Sequence, residues 1–161
     1  MSRIFVGMGS NLDRDRNIRL GLDELRNRFG PLLVSPVYES DAVGFTGPSF
    51  YNLVVGFESE ETPAQIVSTL HDIESMSGRA RQRKYVSRTL DLDLLLHGDK
   101  VIDDGDLQLP RSDIIDYAFV LRPLAEIHGD GIHPVLNRSF AELWQGFGRG
   151  TVLRRVDLQP D

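Results

Sequence analysis

The stretch TLDLDLLL, residues 89–96, alternates leucine with polar side chains. Successive side chains of a β-strand point to opposite faces, so the pattern predicts a strand with leucines on one face and Asp91 and Asp93 on the other. At about 3.3 Å per residue, the two aspartate Cα atoms would lie about 7 Å apart. Two carboxylates at that spacing repel each other by about 2 kcal/mol at an effective dielectric of about 20. We therefore expect a cation between them.

A basic segment without acids precedes this strand and contains Arg79, Arg81, Arg83, Lys84 and Arg88. Subtracting these five charges from the net charge of −6 leaves −11 for the rest of the chain. A basic island in an acidic chain favours a compact anionic ligand over a broad nucleic-acid surface. Mg²⁺ prefers carboxylate oxygens and shares its shell with waters and phosphates, so the combination predicts a metal–triphosphate site. The alternative is an amphipathic strand with a solvated acidic face after a solvated basic loop.

The composition predicts one domain over residues 1–161, because 161 residues with 40% hydrophobic content can bury one core. The sequence has no cysteine, no long apolar run and no signal-peptide pattern at its start. We therefore expect a cytoplasmic protein without disulfides or membrane segments. We further expect a monomer that acts on small molecules and not on nucleic acid.

The hydrophobic periodicity predicts a βαββαβ order in the first two-thirds of the chain. The expected elements are a strand at 4–8, a helix at 13–29, strands at 32–40 and 51–58, a helix between Thr62 and Gly78, and the strand after residue 89. Thr62 and Gln65 form a capping-box pattern. Residues 7–11, GMGSN, are interpreted as a strand-to-helix turn. The order predicts an α+β, ferredoxin-like core with an antiparallel sheet and helices on one face.

The last third of the chain predicts helical and strand additions to this core. Ser112 or Asp113 can cap a helix that Pro123 would interrupt. Ser139 and Glu142 form a second capping-box pattern before a short helix, and 152–158 would be a closing edge strand. The sequence contains no G-x-x-x-x-G-K-[ST] loop, so a nucleoside triphosphate would be bound by side-chain cations and metals.

Three motifs around the acidic strand resemble the signature of the 6-hydroxymethyl-7,8-dihydropterin pyrophosphokinase family of folate synthesis: Gly78-Arg79-x-Arg81, Lys84-Tyr85 and Arg88-Thr-Leu-Asp91-Leu-Asp93-Leu-Leu-Leu. Weaker matches run almost from end to end, at Gly9-Ser10-Asn11-Leu12, Phe50-Tyr-Asn52, Leu109-Pro110 and Ala118-Phe119-Val-Leu-x-Pro123-Leu124. The resemblance implies pyrophosphate transfer from ATP to the hydroxymethyl oxygen of the reduced pterin, with release of AMP.

The resemblance also implies roles for individual residues. Asp91 and Asp93 would ligate two Mg²⁺ ions, with ATP as co-substrate. The phosphate partners would be Arg79, Arg81, Lys84 and Arg88, of which the arginines would be catalytic together with the aspartates. Glu74 and Arg111 would neighbour ATP; read without the resemblance, they are a solvated glutamate and a surface arginine. Phe50 and Phe119 would stack on the two faces of the pterin, and Asn52 would read its polar edge, assisted by backbone around Ser40, Val43 and Gly44.

The chain departs from the family pattern at several positions. Tyr85-Val86-Ser87 stands where Trp-Gly-Pro is usual, Asp41-Ala42 where prolines are common, Arg111 where a histidine is common, and Tyr117 where an arginine is common. The main alternative is therefore a divergent homologue that binds a pterin or nucleotide with little turnover. A small RNA-binding protein is disfavoured, because most of the chain is acidic and no run of sheet-face aromatics is evident.

Overall fold

The structure, a computed structural model, describes residues 1–41, 47–77, 90–148 and 152–158. Its elements are β1 (Ser2–Ser10), α1 (Arg14–Phe29), β2 (Leu33–Val34), β3 (Val37–Ser40), β4 (Phe50–Ser59), α2 (Pro63–Met76), β5 (Asp91–His97), β6 (Ile102–Asp104), β7 (Leu107–Leu109), α3 (Asp113–Asp116), α4 (Ala118–His128), α5 (Phe140–Gln145) and β8 (Arg154–Val156). Among the helices in these ranges, none is both long and apolar enough to cross a membrane.

The main sheet has the strand order β5-β1-β4-β3-β8, and β2 pairs with β4 beside β3. The strand pairs of this sheet are antiparallel. The mixed helix and antiparallel-sheet class is therefore confirmed. The predicted strand at 32–40 is divided, because Ser35 turns its hydroxyl to the backbone, accepting from Val54 N–H at 2.8 Å, and Pro36 has no N–H to donate to a ladder.

The two helices of the predicted core lie on one face of the sheet, as expected, and the later helices cover the other face. On one face, α1 and α2 bury Ile18, Ile66 and Leu70 against the sheet. On the other face, α4 and α5 bury residues such as Leu121 and Phe140. The consecutive leucines at 94–96 explain the second layer, because both faces of that strand end are apolar and each buried leucine contributes about 1.5–3 kcal/mol.

The strand β1 continues through the glycines that were interpreted as a turn. Gly9 pairs with Asn52 of β4 on one side and with Asp91 of β5 on the other, and the strand ends only at Ser10. A Cβ at position 9 would lie 2.8 Å from Asn52 Oδ1. Glycine here marks a close approach of a neighbouring group and not a change of direction.

The capping predictions at both helices are confirmed. Thr62 accepts from Gln65 N–H at 3.2 Å, while Gln65 Oε1 accepts from Thr62 N–H at 2.9 Å. Ser139 and Glu142 form the same reciprocal pair at the start of α5. The edge strand near the C-terminal end is confirmed as β8, which pairs with β3.

The helix expected before Pro123 has different limits. It is broken at Tyr117, whose backbone is extended, and Pro123 lies inside α4, which continues to His128. The proline removes one backbone hydrogen bond from the helix. The helix tolerates this loss because Leu121 and Leu124 pack into the core and stabilise it. The hairpin of β6 and β7 was not predicted, because its polar residues gave no clear period of two.

Candidate active site

A cavity of about 250 Å³ lies between the sheet and the segment that joins α3 to α4. Its polar lining includes Ser40, Asp41, Asn52, Asp91, Asp93 and Asp113, and its aromatic lining is Phe50, Tyr117 and Phe119. Six residues that were singled out from the sequence thus meet in one cavity: Ser40, Phe50, Asn52, Asp91, Asp93 and Phe119.

The predicted two-faced strand is confirmed at β5. Leu90, Leu92 and Leu94 belong to the core against α1 and α2, and the two aspartates lie on the cavity face. Asp91 and Asp93 are opposite Gly9 and Gly7 of β1. Because neither glycine has a side chain, the space in front of the carboxylates stays open.

A side-chain cation, Arg111, lies beside Asp93, and the cation expected between the two aspartates stays a prediction. The Nη2 of Arg111 is 3.6 Å from Asp93 Oδ1 and its Nε is 3.2 Å from Asp113 Oδ2. Its backbone N–H donates to the Leu95 carbonyl at 3.0 Å, which fixes it next to β5. Burial alone would lower the pKa of Arg111, but the carboxylates of Asp93 and Asp113 outweigh burial and raise it. Arg111, Asp93 and Asp113 are called the Arg111 cluster below.

Asp113 was predicted only as a helix cap, but it lines the cavity and binds Arg111. The sequence signal was its position two residues after Arg111, next to a helix start. An i, i+2 pair in irregular backbone has no fixed geometry, so the spacing alone could not show that the side chains meet.

The donor chemistry fits magnesium. Within the described residues, no group of three His, Cys, Asp or Glu side chains is arranged to hold a metal ion. A magnesium ion does not need such a cage, because it commonly binds through one or two carboxylates and completes its shell with water and substrate phosphates. Asp91 and Asp93 are both partly exposed to the cavity and offer those oxygens.

The opposite end of the cavity carries an amide and aromatic rings. Asn52 is buried, and its Nδ2 donates to Ser40 Oγ at 3.2 Å. Asn52 and Asp91 flank Gly9 in one row across three strands, so their Cα atoms lie about 10 Å apart at the usual strand spacing. The carboxylate end and the amide end are therefore within reach of one small ligand.

The aromatic wall contains a residue that sequence reasoning treated only as a departure. Tyr117 stacks on Phe119 with ring centroids 4.9 Å apart and an interplanar angle of 19°. Phe50 and Phe119 both line the cavity and are partly buried. The run Tyr117-Ala-Phe119 could have indicated the pair, because i and i+2 residues share a face where the backbone is extended, as it is at Tyr117.

Glu74 is not a solvated glutamate. It is 4% exposed, and its Oε2 accepts from the backbone N–H of Leu92 at 2.8 Å, which ties α2 to β5. It does not line the cavity, and its contact with ATP stays a prediction.

Several predicted ligands lie outside the described residues: Val43, Gly44, Arg79, Arg81, Lys84 and Arg88. Their roles stay predictions.

Residues 5–129 match the family model of 7,8-dihydro-6-hydroxymethylpterin-pyrophosphokinase. The chain belongs to this family. Its pyrophosphokinase relatives include the 2-amino-4-hydroxy-6-hydroxymethyldihydropteridine pyrophosphokinase of Pseudomonas aeruginosa, which is 37% identical over 81% of this chain and 83% of its own length. The enzyme of the same name from Haemophilus influenzae is 33% identical over 83% of this chain and 86% of its own length.

Longer proteins also match this pyrophosphokinase family member. The folic acid synthesis protein fol1 of Pneumocystis carinii is 32% identical over 88% of this chain, which spans 20% of the fungal protein. A solved Plasmodium falciparum HPPK-DHPS structure superposes with a TM-score of 0.72 at 13% identity, covering 89% of this chain and 43% of the other. At that identity the superposition shows a shared fold.

Proposed function

We propose that this chain transfers pyrophosphate from ATP to the hydroxymethyl group of 6-hydroxymethyl-7,8-dihydropterin and releases AMP, a step of folate biosynthesis. The observation that carries the proposal is the row Asp91, Gly9 and Asn52, which joins a carboxylate end to an amide end in one cavity. Membership of the pyrophosphokinase family supports the same activity.

The acceptor is proposed to bind at the amide end. A side-chain amide offers both a donor and an acceptor, which suits the polar edge of a pterin. Phe50 and Phe119 offer ring faces for stacking, and Ser40 holds the Asn52 amide through its hydroxyl. The backbone of Val43 and Gly44 is proposed to assist.

The triphosphate is proposed to bind at the carboxylate end. Asp91 and Asp93 would hold two Mg²⁺ ions, which supply charge neutralisation at the phosphate oxygens. Arg111 lies beside Asp93, where its guanidinium can orient that carboxylate and meet a phosphate. Arg79, Arg81, Lys84 and Arg88 are proposed as further phosphate partners and Glu74 as a neighbour of ATP.

The chemistry is a displacement at phosphorus. The hydroxymethyl oxygen bonds to the β-phosphorus of ATP, the bond from that phosphorus to the α–β bridging oxygen breaks, and the hydroxyl proton is released. The residues contribute chiefly by alignment, because two ligands held in one cavity react as a single complex.

The architecture is proposed to be a ferredoxin-like core within one domain over residues 1–161. The order β5-β1-β4-β3 with α1 and α2 as connections supports this class, and α3–α5 and β8 extend it. We also propose that the protein is a cytoplasmic monomer.

The activity is tested by incubating the protein with Mg²⁺, the hydroxymethyl dihydropterin and ATP labelled on its γ-phosphate. Label should move to the pterin with one AMP released per product. Omitting the pterin and substituting both Asp91→Asn and Asp93→Asn are the controls. Pterin binding without AMP release would instead identify the divergent binding homologue, and absence of both would refute the proposal.

A further inference from the structure

The β3–β4 pair carries cavity residues on one face and a charged residue on the other. Ser40 and Phe50 are register partners at the end of this pair, and both line the cavity. Glu39 and Tyr51 form the adjacent register pair. Because side chains alternate along a strand, Glu39 points to the opposite face, toward α1.

The carboxylate of Glu39 binds three donors. Its Oε2 accepts from Arg14 Nη1 at 2.8 Å and from Ser49 Oγ at 2.9 Å, and its Oε1 accepts from Arg154 Nε at 3.1 Å. The hydrogen bond from Ser49, followed by those from the two arginines, lowers the pKa of Glu39 to about 2. Glu39, Arg14, Ser49 and Arg154 are called the Glu39 clamp below.

Further contacts of the two arginines extend this clamp to both strands. Arg14 also donates to the Ser49 carbonyl at 3.1 Å, and its guanidinium lies 3.9 Å from the centre of the Tyr51 ring. Arg154 of β8 lies 3.6 Å from Asp41. The residues on either side of Ser40, and those on either side of Phe50, are thus fixed from outside the cavity.

We propose that Glu39 is a positioning residue for the acceptor end of the cavity, acting through Ser40 and Phe50, and that Arg154 is its outer support. This rests on the proposed pterin pyrophosphokinase activity. Arg154 lies beyond the residues 5–129 that match the family model, so the support comes from an extension of the core. The metal ligands lie on β5, which is separated from β3 by two strands. Loss of the clamp should therefore weaken pterin binding and leave nucleotide binding unchanged.

The test measures dissociation constants by calorimetry for the pterin and, separately, for a non-hydrolysable ATP analogue with Mg²⁺. Glu39→Gln should raise the pterin dissociation constant about tenfold, since the charge-assisted bonds are replaced by weaker ones, and leave that of the analogue within about twofold. Arg154→Ala should raise the pterin constant about threefold, and Arg154→Lys should restore most of it. In turnover, Glu39→Gln should raise KM for the pterin and leave kcat near the wild-type value.

The matched control is Glu58→Gln, at the other end of β4. Glu58 is exposed and lies 3.7 Å from Arg3, so this change removes a strand-end ion pair away from the cavity. It should leave both dissociation constants unchanged. A purely structural role for Glu39 would lower the binding stoichiometry and leave the dissociation constants of the folded fraction unchanged.

Two results would overturn the inference: a pterin dissociation constant in folded Glu39→Gln equal to the wild-type value, or equal losses for pterin and nucleotide. If Glu39→Gln does not fold, the same two dissociation constants are compared in Arg154→Ala. This variant should fold, because Arg154 is half-exposed and its truncation leaves no void in the core. Wild-type protein that binds no pterin would refute the proposed function itself, and the positioning inference with it.

Discussion

Two arginine–carboxylate clusters lie on opposite faces of the sheet and combine the same groups in opposite proportions. In the Glu39 clamp, one carboxylate meets two guanidinium groups and a hydroxyl. In the Arg111 cluster, one guanidinium is shared by two carboxylates, and Asp91 also contributes to raising the pKa of Arg111. The first cluster faces α1, and the two aspartates of the second line the cavity.

This difference in composition indicates a structural role for the Glu39 clamp and a ligand-binding role for the Arg111 cluster. A carboxylate oxygen pair has about four acceptor positions, and the three short bonds to Glu39 use most of them, so that cluster mainly fixes backbone. Asp93 is one-third exposed and lines the cavity, so a cation that arrives with a ligand can reach its carboxylate.

The largest expected effect comes from breaking the acidic cluster. Asp91→Ala or Asp93→Ala should lower AMP release by about a thousandfold or more, roughly 4 kcal/mol, because each removes a proposed metal ligand. The fold should persist, since both side chains are partly exposed on a cavity face. Asp103→Ala, at an exposed carboxylate of the β6–β7 hairpin, is the control. Near-normal AMP release in both cavity variants would contradict the metal assignment.

The amide end should respond to Asn52→Ala with a loss of pterin affinity of about 1–3 kcal/mol, because a buried polar edge of the ligand loses its partner. Binding of an ATP analogue should change little. Ser40→Ala, which removes only the hydroxyl that accepts from the Asn52 amide, should give a smaller loss. Calorimetry with each ligand separates these outcomes, and equal losses for both ligands would assign Asn52 a structural role.

Substitution of Arg111, the cation shared by two carboxylates, tests whether the Arg111 cluster binds ligands. Arg111→Met should weaken binding of the Mg²⁺-loaded ATP analogue about fivefold, through loss of a phosphate partner. The same change should strengthen binding of free Mn²⁺, which serves as a paramagnetic substitute for Mg²⁺. The reason is that the positive charge of Arg111 no longer competes with the metal ion for Asp93. Weakening of both ligands would show that Arg111 acts only by ordering the carboxylates.

The last predicted effect is on acid stability and concerns the Glu39 clamp. The folded pKa of about 2 lies below the ordinary value of 4.5, so the stabilisation from Glu39 is present above pH 4.5 and is lost as the pH falls toward 2. Wild type should exceed Glu39→Gln by about 2 kcal/mol in unfolding free energy at pH 7, and the gap should narrow below pH 4.5. Urea unfolding at pH 7 and pH 3 measures this, with Glu58→Gln as the control. A gap independent of pH would exclude the charge as its cause.

Local patterns predicted much of the fold, because the information for them lies within a few residues. The alternation around Asp91 and Asp93 and the capping boxes at Thr62 and Ser139 depend on neighbours in sequence, and all are confirmed. The helices of the second layer were predicted, but the apolar run at 94–96 does not say that they cover it.

The wrong interpretation of Glu74 and the unpredicted contacts of Glu39 share a cause, which is a partner distant in the chain. Glu74 at a helix edge resembles a solvated residue until Leu92, 18 positions later, donates its backbone N–H. Glu39 meets Arg154 across 115 positions. In such pairs, a buried or half-buried carboxylate is hydrogen-bonded by a group that only the tertiary structure brings close. Neither composition nor periodicity predicts these contacts.

Gly9 makes the amide end sensitive to a residue that bears no functional group. An alanine there would place a methyl group 2.8 Å from Asn52 Oδ1, so the amide would have to move although no polar side chain of the cavity had been substituted. Gly9→Ala is thus a geometric lesion and not a chemical one. A survey of inactive variants would then find losses of activity at Gly9, although this residue has no side chain that could contact a ligand.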